Sequence, residues 1–306
     1  MAERPRPKHK FGAHMSIAGG HDRAVHAAHA AGFDTVQLFT KSNNQWNAKP
    51  LKEADVAAFR EALRTTGVCD PVAHTSYLIN LASPDDALWS KSIEALVVEV
   101  ERAEALGISD LVHHPGAHVG SGEEAGLERV AKALDEVHRR TTGARLKIDL
   151  ENTAGQGTCL GHRLEHLGTL LRLVRDPERL GICLDTCHLF AAGYSLGPIS
   201  DYNQTIDEVG RTVGLDQVRV WHLNDSQKDR GSRVDRHAGI GRGRLGLGAF
   251  ANLVNDPRFI GRPMVLETPK GDEGGEDLDL INRRVLLGLL GRPKTRSRPA
   301  ADRGGG

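Results

Sequence analysis

The chain has no excess of either charge: 40 Lys and Arg balance 40 Asp and Glu. That balance excludes a global positive field, so any binding to nucleic acid must come from a local patch. Cysteine is scarce, with only Cys69, Cys159, Cys183 and Cys187, each in an apolar setting. Four such thiols in 306 residues make no disulfide scaffold and point to a reducing, intracellular setting. Cys183 and Cys187 also miss the CxxC spacing of a zinc-thiolate pair. No apolar run reaches the roughly 18 residues of a membrane span, and MAERPRPKHK (1–10) lacks the apolar core of a secretory signal. A soluble, cytoplasmic protein is expected. The last stretch, GRPKTRSRPAADRGGG, has Arg, Pro and Gly but almost nothing to bury.

What remains is enough for a large core, since 39% of the residues are hydrophobic. Eight strand candidates follow one another: 11–16, 35–40, 72–77, 111–116, 146–152, 181–186, 218–223 and 264–268. Each precedes an amphipathic helical pattern, and several of these end in glycine (Gly32, Gly67, Gly107). Eight βα units without a linker predict an α/β fold, a single (β/α)8 TIM barrel over residues 11–290. Residues 1–10 and 291–306 are expected to be a disordered extension and a disordered basic, Gly-rich tail. An open doubly wound sheet would show a Gly-rich phosphate loop after its first strand, and GAHMSIAGG is not one.

Active sites of such barrels lie where the strands end. The third to eighth strand candidates deliver His74, His113 and His114, Glu151, Asp185 with His188, His222 with Asp235 and His237 beyond, and Glu267. One His at a strand end is ordinarily a hydrogen-bonded structural residue. Six adjacent ends carrying ionisable groups are another matter, because burying them together is costly without a counter-charge. Metal ions supply one. Five imidazoles and four carboxylates suit two or three ions sharing carboxylates, and imidazole favours zinc over magnesium, leaving manganese or iron open at one position. Ions about 3.5–4 Å apart are typical of phosphodiester chemistry. Arg230, Arg233, Arg236, Arg242 and Arg244 surround Asp235 and His237 in a glycine-rich loop suited to phosphates. The histidines on helix patterns, His21, His26, His29, His138, His162 and His166, read as solvated.

The motifs HTSYLINLASP, LVHHPGAH, ENTAGQG, GICLDTCHLFAAGY, HLNDSQKDRGSRVDRH and VLETP recur in order over residues 11–290. Together they resemble the endonuclease IV family of apurinic/apyrimidinic endonucleases. The resemblance implies a xylose-isomerase-like TIM barrel holding three Zn2+ ions, with Mn2+ possible at one position. His74, His114 and Glu151 would hold one ion, and Glu151 would bridge to a second held by Asp185, His222 and Glu267. His188, Asp235 and His237 would hold the third. Of the pair His113 and His114, the family's Pro-Gly context selects His114.

The implied reaction hydrolyses the DNA backbone 5′ to abasic sites, leaving a 3′-hydroxyl and a 5′-deoxyribose phosphate. A metal-bridging hydroxide attacks, with Glu267 and Glu151 as the catalytic carboxylates. Removal of blocked 3′ ends is also implied. Tyr77 stands at the family's wedge position, and Asn44, beside Gln45 and Trp46, stands where an Arg is inserted in the enterobacterial form. His14 and His118 would support the ligands or contact phosphate, while Arg233, Arg236 and Arg242 would face the DNA. The expected partner is duplex DNA with abasic sites or blocked 3′ ends, bound by a monomer at the nucleoid. The rival reading, a divalent-metal barrel sugar isomerase or epimerase, would rely mainly on carboxylates and a catalytic Lys or paired Glu.

Overall fold

A computed structural model describes residues 9–291. Of the expected extension 1–10 and tail 291–306, residues 1–8 and 292–306 lie outside the described residues. Eight parallel strands form one sheet with helices between them. The strands are β1 (Lys10–Ala13), β2 (Gln37–Phe39), β3 (Val72–His74), β4 (Asp110–His113), β5 (Lys147–Glu151), β6 (Leu180–Asp185), β7 (Val218–His222) and β10 (Pro263–Leu266). Between β7 and β10 a two-residue pair, β8 (Asp225–Ser226) and β9 (His237–Ala238), runs antiparallel, and a second such pair, β11 (Asp272–Glu273) and β12 (Glu276–Asp277), follows β10.

The helices are α1 (His21–Ala30), α2 (Glu53–Thr66), α3 (Asp86–Leu106), α4 (Glu123–Arg140), α5 (Leu164–Leu173), α6 (Thr186–Ala192), α7 (Ile199–Thr212), α8 (Leu247–Val254) and α9 (Leu278–Leu289). Their limits follow local chemistry. Asp85 caps α3 by accepting from Leu88 N at 2.8 Å, and Gly107 ends it in the left-handed conformation, φ 83°, that an L side chain resists. No described helix is long and apolar enough to cross a membrane.

The ladder runs β1-β10-β7-β6-β5-β4-β3-β2. Its two ends meet through a single parallel bridge, His14 to Gln37, and through Asp34 and Thr35 N–H groups donating to Phe11 O. The barrel is thus nearly closed. Val72, Val112, Cys183 and Val220 cluster apart from the larger core of apolar side chains between strands and helices.

All eight expected strands form, each ending one to three residues before the sequence pattern does. One helix was not foreseen. TCHLFAA (186–192) directly follows β6, and its seven residues are too short a run for helical spacing to stand out beyond a strand read to end at residue 186. Three of the histidines read as solvated are buried instead: His138, His162 and His166. His166 Nδ1 accepts from Gly161 N and its ring packs on His162, both facing Glu123, while His138 lies beneath Arg179. Helical spacing places a residue on a face but does not reveal which neighbour covers that face.

The seam is tight. A Cβ on Gly12 would stand 2.6 Å from Thr35 Cγ2 and 2.7 Å from its carbonyl oxygen. Gly12→Ala should therefore destabilise the metal-stripped chain by about 1–3 kcal/mol, measured from its denaturant midpoint. An unchanged midpoint would mean that the seam yields freely.

Candidate metal centre

Parallel strands point their C-terminal ends to one mouth. His74 closes β3, His113 closes β4 with His114 next, Glu151 closes β5, Asp185 closes β6, His222 closes β7, and Glu267 directly follows β10. Register does the rest: Asp185 lies opposite His222, which lies opposite Val265. Asp185 also caps α6, accepting from His188 N at 2.8 Å, and this turns His188 toward the same mouth. His237 is brought in by the β8–β9 pair, where it stands opposite Ser226.

The donors meet around carboxylates. Glu151 Oε2 lies 3.2 Å from His74 Nε2 and 2.9 Å from His114 Nε2, while Oε1 lies 3.0 Å from His222 Nδ1. His222 Nδ1 is 3.2 Å from Glu267 Oε2 and 3.9 Å from Asp185 Oδ2. Asp235 reaches His188 Nε2 and His237 Nε2, each at 3.2 Å. Among the described residues five groups bring one ligand atom per residue within 4.8 Å of one another; two include a cysteine (Glu151, Cys183 and His222; Cys187, Asp235 and His237), and the other three are His74, His114 and Glu151; Glu151, Asp185, His222 and Glu267; and Asp185, His188 and His237. Asp185 therefore flanks the third group, where the family pattern names Asp235. His113 turns away, its Nδ1 2.9 Å from Thr75 Oγ1, and burial followed by neighbouring His114 lowers it to about 3.

This arrangement fits divalent ions. Two ligands on one tetrahedral zinc, each bonded at about 2.0–2.1 Å, stand about 3.3 Å apart, close to the spacings above. The outward nitrogens are held as a metal site needs. His74 Nδ1 donates to Thr75 O at 2.7 Å, His188 Nδ1 to Asn152 O at 2.9 Å, His222 Nε2 to Gln37 Oε1 at 2.7 Å, and His237 Nδ1 to Glu267 O at 3.1 Å. Each inward nitrogen, set against the carboxylates, is the one that would give its lone pair to an ion. Cys183 and Cys187 also approach these groups. Burial pushes both thiols up, Cys187 to about 12, which disfavours the thiolate in the metal-free chain.

Charge tells the same story. Burial opposes a proton on His222, but Glu267 and Glu151 outweigh it and raise the imidazole to about 9. Burial likewise opposes one on His237, where Asp185 and then Asp235 prevail, again to about 9. Burial would raise Glu267 and Asp235, yet the facing imidazoles hold both carboxylates below their usual range. With no metal, protons on imidazoles balance these carboxylates.

The remaining candidates lie around the mouth. Tyr77 is 57% exposed, its ring edge-on to Phe39 at 5.6 Å and tilted over His74 at 5.2 Å. Asn44 and Gln45 are exposed, and Gln45 O accepts from buried Lys41 Nζ at 2.7 Å. Trp46 instead lies under Lys91. Arg233, at φ 54°, sets its guanidinium 3.4 Å from His162 Nε2, and Arg236 donates to Asp235 O at 2.6 Å. Arg242 pairs with Glu273 of the β11–β12 hairpin, and Arg244 lies 3.6 Å from Asp229. His14 Nδ1 lies 3.7 Å from Glu267 Oε1, whereas His118 Nδ1 accepts from Gly122 N at the start of α4.

Three amides escaped the sequence reading. Gln37 contacts His222 and Glu267; Asn152 accepts from Asp185 N at 2.7 Å; Asn224 donates to Asp185 Oδ2 at 2.6 Å and accepts from Glu267 N at 2.9 Å. The motif ENTAGQG contains Asn152 and HLNDS contains Asn224, so the signal was present but carried no charge.

The AP_endonuc_2 family profile, described as a xylose isomerase-like TIM barrel, matches residues 25–284. "Probable endonuclease 4" of Chloroflexus aurantiacus is 53% identical over 281 residues, covering 92% of this chain and 96% of that protein. The counterpart from Geotalea daltonii is 45% identical, with 92% and 99% covered. The crystal structure of endonuclease IV from Thermus thermophilus superposes with a TM-score of 0.81 at 38% identity, covering 92% and 98%. A D-tagatose 3-epimerase-like protein reaches a TM-score of 0.69 at 21% identity over 92% and 97%, a likeness of fold alone.

The raised imidazoles fix the sign of a pH effect. For the metal-free chain, the contribution of His222 and His237 to stability is complete below about 6.5, the unperturbed value, and is lost as pH rises through about 9. The lowered Glu267 and Asp235 contribute above about 4.3 and 3.9, and their share is lost as pH falls through their folded values. Protons and metal compete for the same nitrogens, so zinc affinity should fall steadily from pH 9 to pH 6. Competition against a chromophoric chelator measures this; an affinity flat with pH would contradict it.

Proposed function

Because the chain belongs to the endonuclease IV family of AP endonucleases, we propose that it repairs DNA by hydrolysing the backbone 5′ to abasic sites as a monomer carrying three zinc ions. One observation carries this reading: nine His, Asp and Glu side chains converge at the barrel mouth with their inward nitrogens against shared carboxylates. His74, His114 and Glu151 hold one ion; Glu151, Asp185, His222 and Glu267 the second; His188, Asp235 and His237 the third, and manganese is acceptable at one of them. When bound, such ions supply a nucleophile at neutral pH and offset charge on the leaving oxygen.

The chain's own groups do the positioning. Glu151, wholly buried, joins two ligand groups and holds four imidazoles in place. Glu267 is the partly exposed carboxylate of the second group, so it orients the attacking water toward phosphorus. The P–O3′ bond breaks and the 3′ oxygen leaves with a proton, giving a 3′-hydroxyl and a 5′-deoxyribose phosphate. Removing a blocked 3′ terminus breaks the same P–O3′ bond, and the same residues serve as a 3′-repair diesterase.

Tyr77 is the wedge that fills the gap in the distorted duplex, braced by Phe39 and His74, with Asn44 and Gln45 meeting bases from the neighbouring loop. Arg233 and Arg236 take phosphates, and Arg242 joins them by exchanging Glu273 for a phosphate oxygen. DNA as partner puts this activity at the nucleoid.

A duplex with one tetrahydrofuran abasic analogue tests the reading. The zinc-loaded chain should nick it 5′ to the lesion and exhaustive chelation should abolish the nick; a metal-replete chain that leaves the duplex intact overturns the assignment. Asp235→Ala should bind one zinc fewer and lose at least about a hundredfold in rate. Arg233→Ala should keep its metal and bind DNA more weakly, with a salt slope shallower by about 1. A 3′-phosphoglycolate duplex should be converted to 3′-hydroxyl; persistence of the block beside efficient abasic nicking would remove the diesterase activity.

A further inference from the structure

We infer that Gln37 is a positioning residue that selects which nitrogen of His222 faces the metal centre and ties Glu267 to it, an inference that rests on the three-zinc reading above. Strands β3 to β7 and β10 bring ionisable groups to the mouth, whereas β2 brings an amide. Gln37 opens that strand and is wholly buried.

Its amide makes three contacts. The nitrogen lies 2.6 Å from Glu267 Oε1 and 3.0 Å from His14 Nδ1, and the oxygen lies 2.7 Å from His222 Nε2. Hydrogen-bonding capacity fixes this orientation. The ionised carboxylate of Glu267 only accepts, so the amide group beside it must be the NH2. The carbonyl then faces His222, and because a carbonyl also only accepts, His222 Nε2 must bear the proton. With zinc bound, His222 is neutral and carries that single N–H, so Nδ1, which lies 3.0 Å from Glu151 Oε1 and 3.2 Å from Glu267 Oε2, is the nitrogen that would face the ion. The flipped amide would set two acceptors 2.6 Å apart. The second amide hydrogen reaches His14 Nδ1, which puts the proton of His14 on Nε2, a buried atom without a partner among the described residues.

A glutamine that merely filled space would leave the metal sites alike when replaced. The test therefore reads metal and tautomer, not turnover. Zinc competition titrations should find three tight sites in the wild-type chain. Gln37→Met, which keeps the bulk and removes both arms, should weaken one site by about 10–100-fold and leave two unchanged. Nitrogen-15 NMR of labelled histidines should place the His222 proton on Nε2 in the zinc-loaded wild type, and Gln37→Met should lose that protected signal.

Gln37→Glu keeps the acceptor toward His222 and opposes Glu267, so it should retain the Nε2–H signal yet still weaken one site; it carries the test if the Met variant does not fold. Three sites of wild-type affinity in both variants, or a His222 proton on Nδ1, overturn the inference while leaving the three-zinc reading intact. A wild-type chain without three tight sites overturns that reading, and the inference with it.

Discussion

Everything at the barrel mouth answers to one electrostatic constraint: four carboxylates, two of them wholly buried, share a small space with five imidazoles. An unpaired charge in such a place costs several kcal/mol, so the chain must hold each group where another can neutralise it. The parallel sheet does this by pointing every strand's C-terminal end to one mouth, with Asp185 directly opposite His222 and Glu151 stepped back beside Cys183. Caps and amides refine it. Asp185 is oriented by its hold on His188 N, by Asn224 Nδ2, and by Asn152 accepting from its own N–H.

The loops that would meet DNA are held by another buried carboxylate, away from the ligand set. Glu99 of α3 accepts from Thr40 Oγ1 at 2.7 Å and from Ser76 N at 3.0 Å, with Lys41 Nζ 3.5 Å away. Ser76 Oγ in turn donates to Asn43 O at 2.6 Å. One side chain thus ties the loop of Asn44 and Gln45 to the loop of Tyr77. Under the proposed mode of DNA binding, neither loop would need ordering from scratch, which would lower the cost of inserting side chains into a duplex. Arg242 is the counterexample, since Glu273 already occupies its guanidinium.

Much of this was legible in the sequence because charge interrupts apolar patterns. A run such as GICLDT announces both its strand and its terminal ligand, since a carboxylate at the end of a buried strand has few explanations. Uncharged helpers leave no such mark. Gln37 reads as an ordinary strand residue, and its partners are 185 and 230 residues away. Helix α6, only seven residues long, is too short for helical spacing to stand out, and the burial of His138 and His166 depends on neighbours that helical spacing does not encode.

The proposed function requires imidazole and carboxylate alone to hold closely spaced zinc ions while the nearby thiols stay out. Zinc K-edge X-ray absorption on the loaded protein reads both halves. The account predicts a first shell of nitrogen and oxygen at about 2.0–2.1 Å, no sulfur at about 2.3 Å, and a zinc–zinc vector near 3.5–4 Å. A sulfur shell from Cys183 or Cys187, or isolated ions with no metal–metal vector, would contradict it.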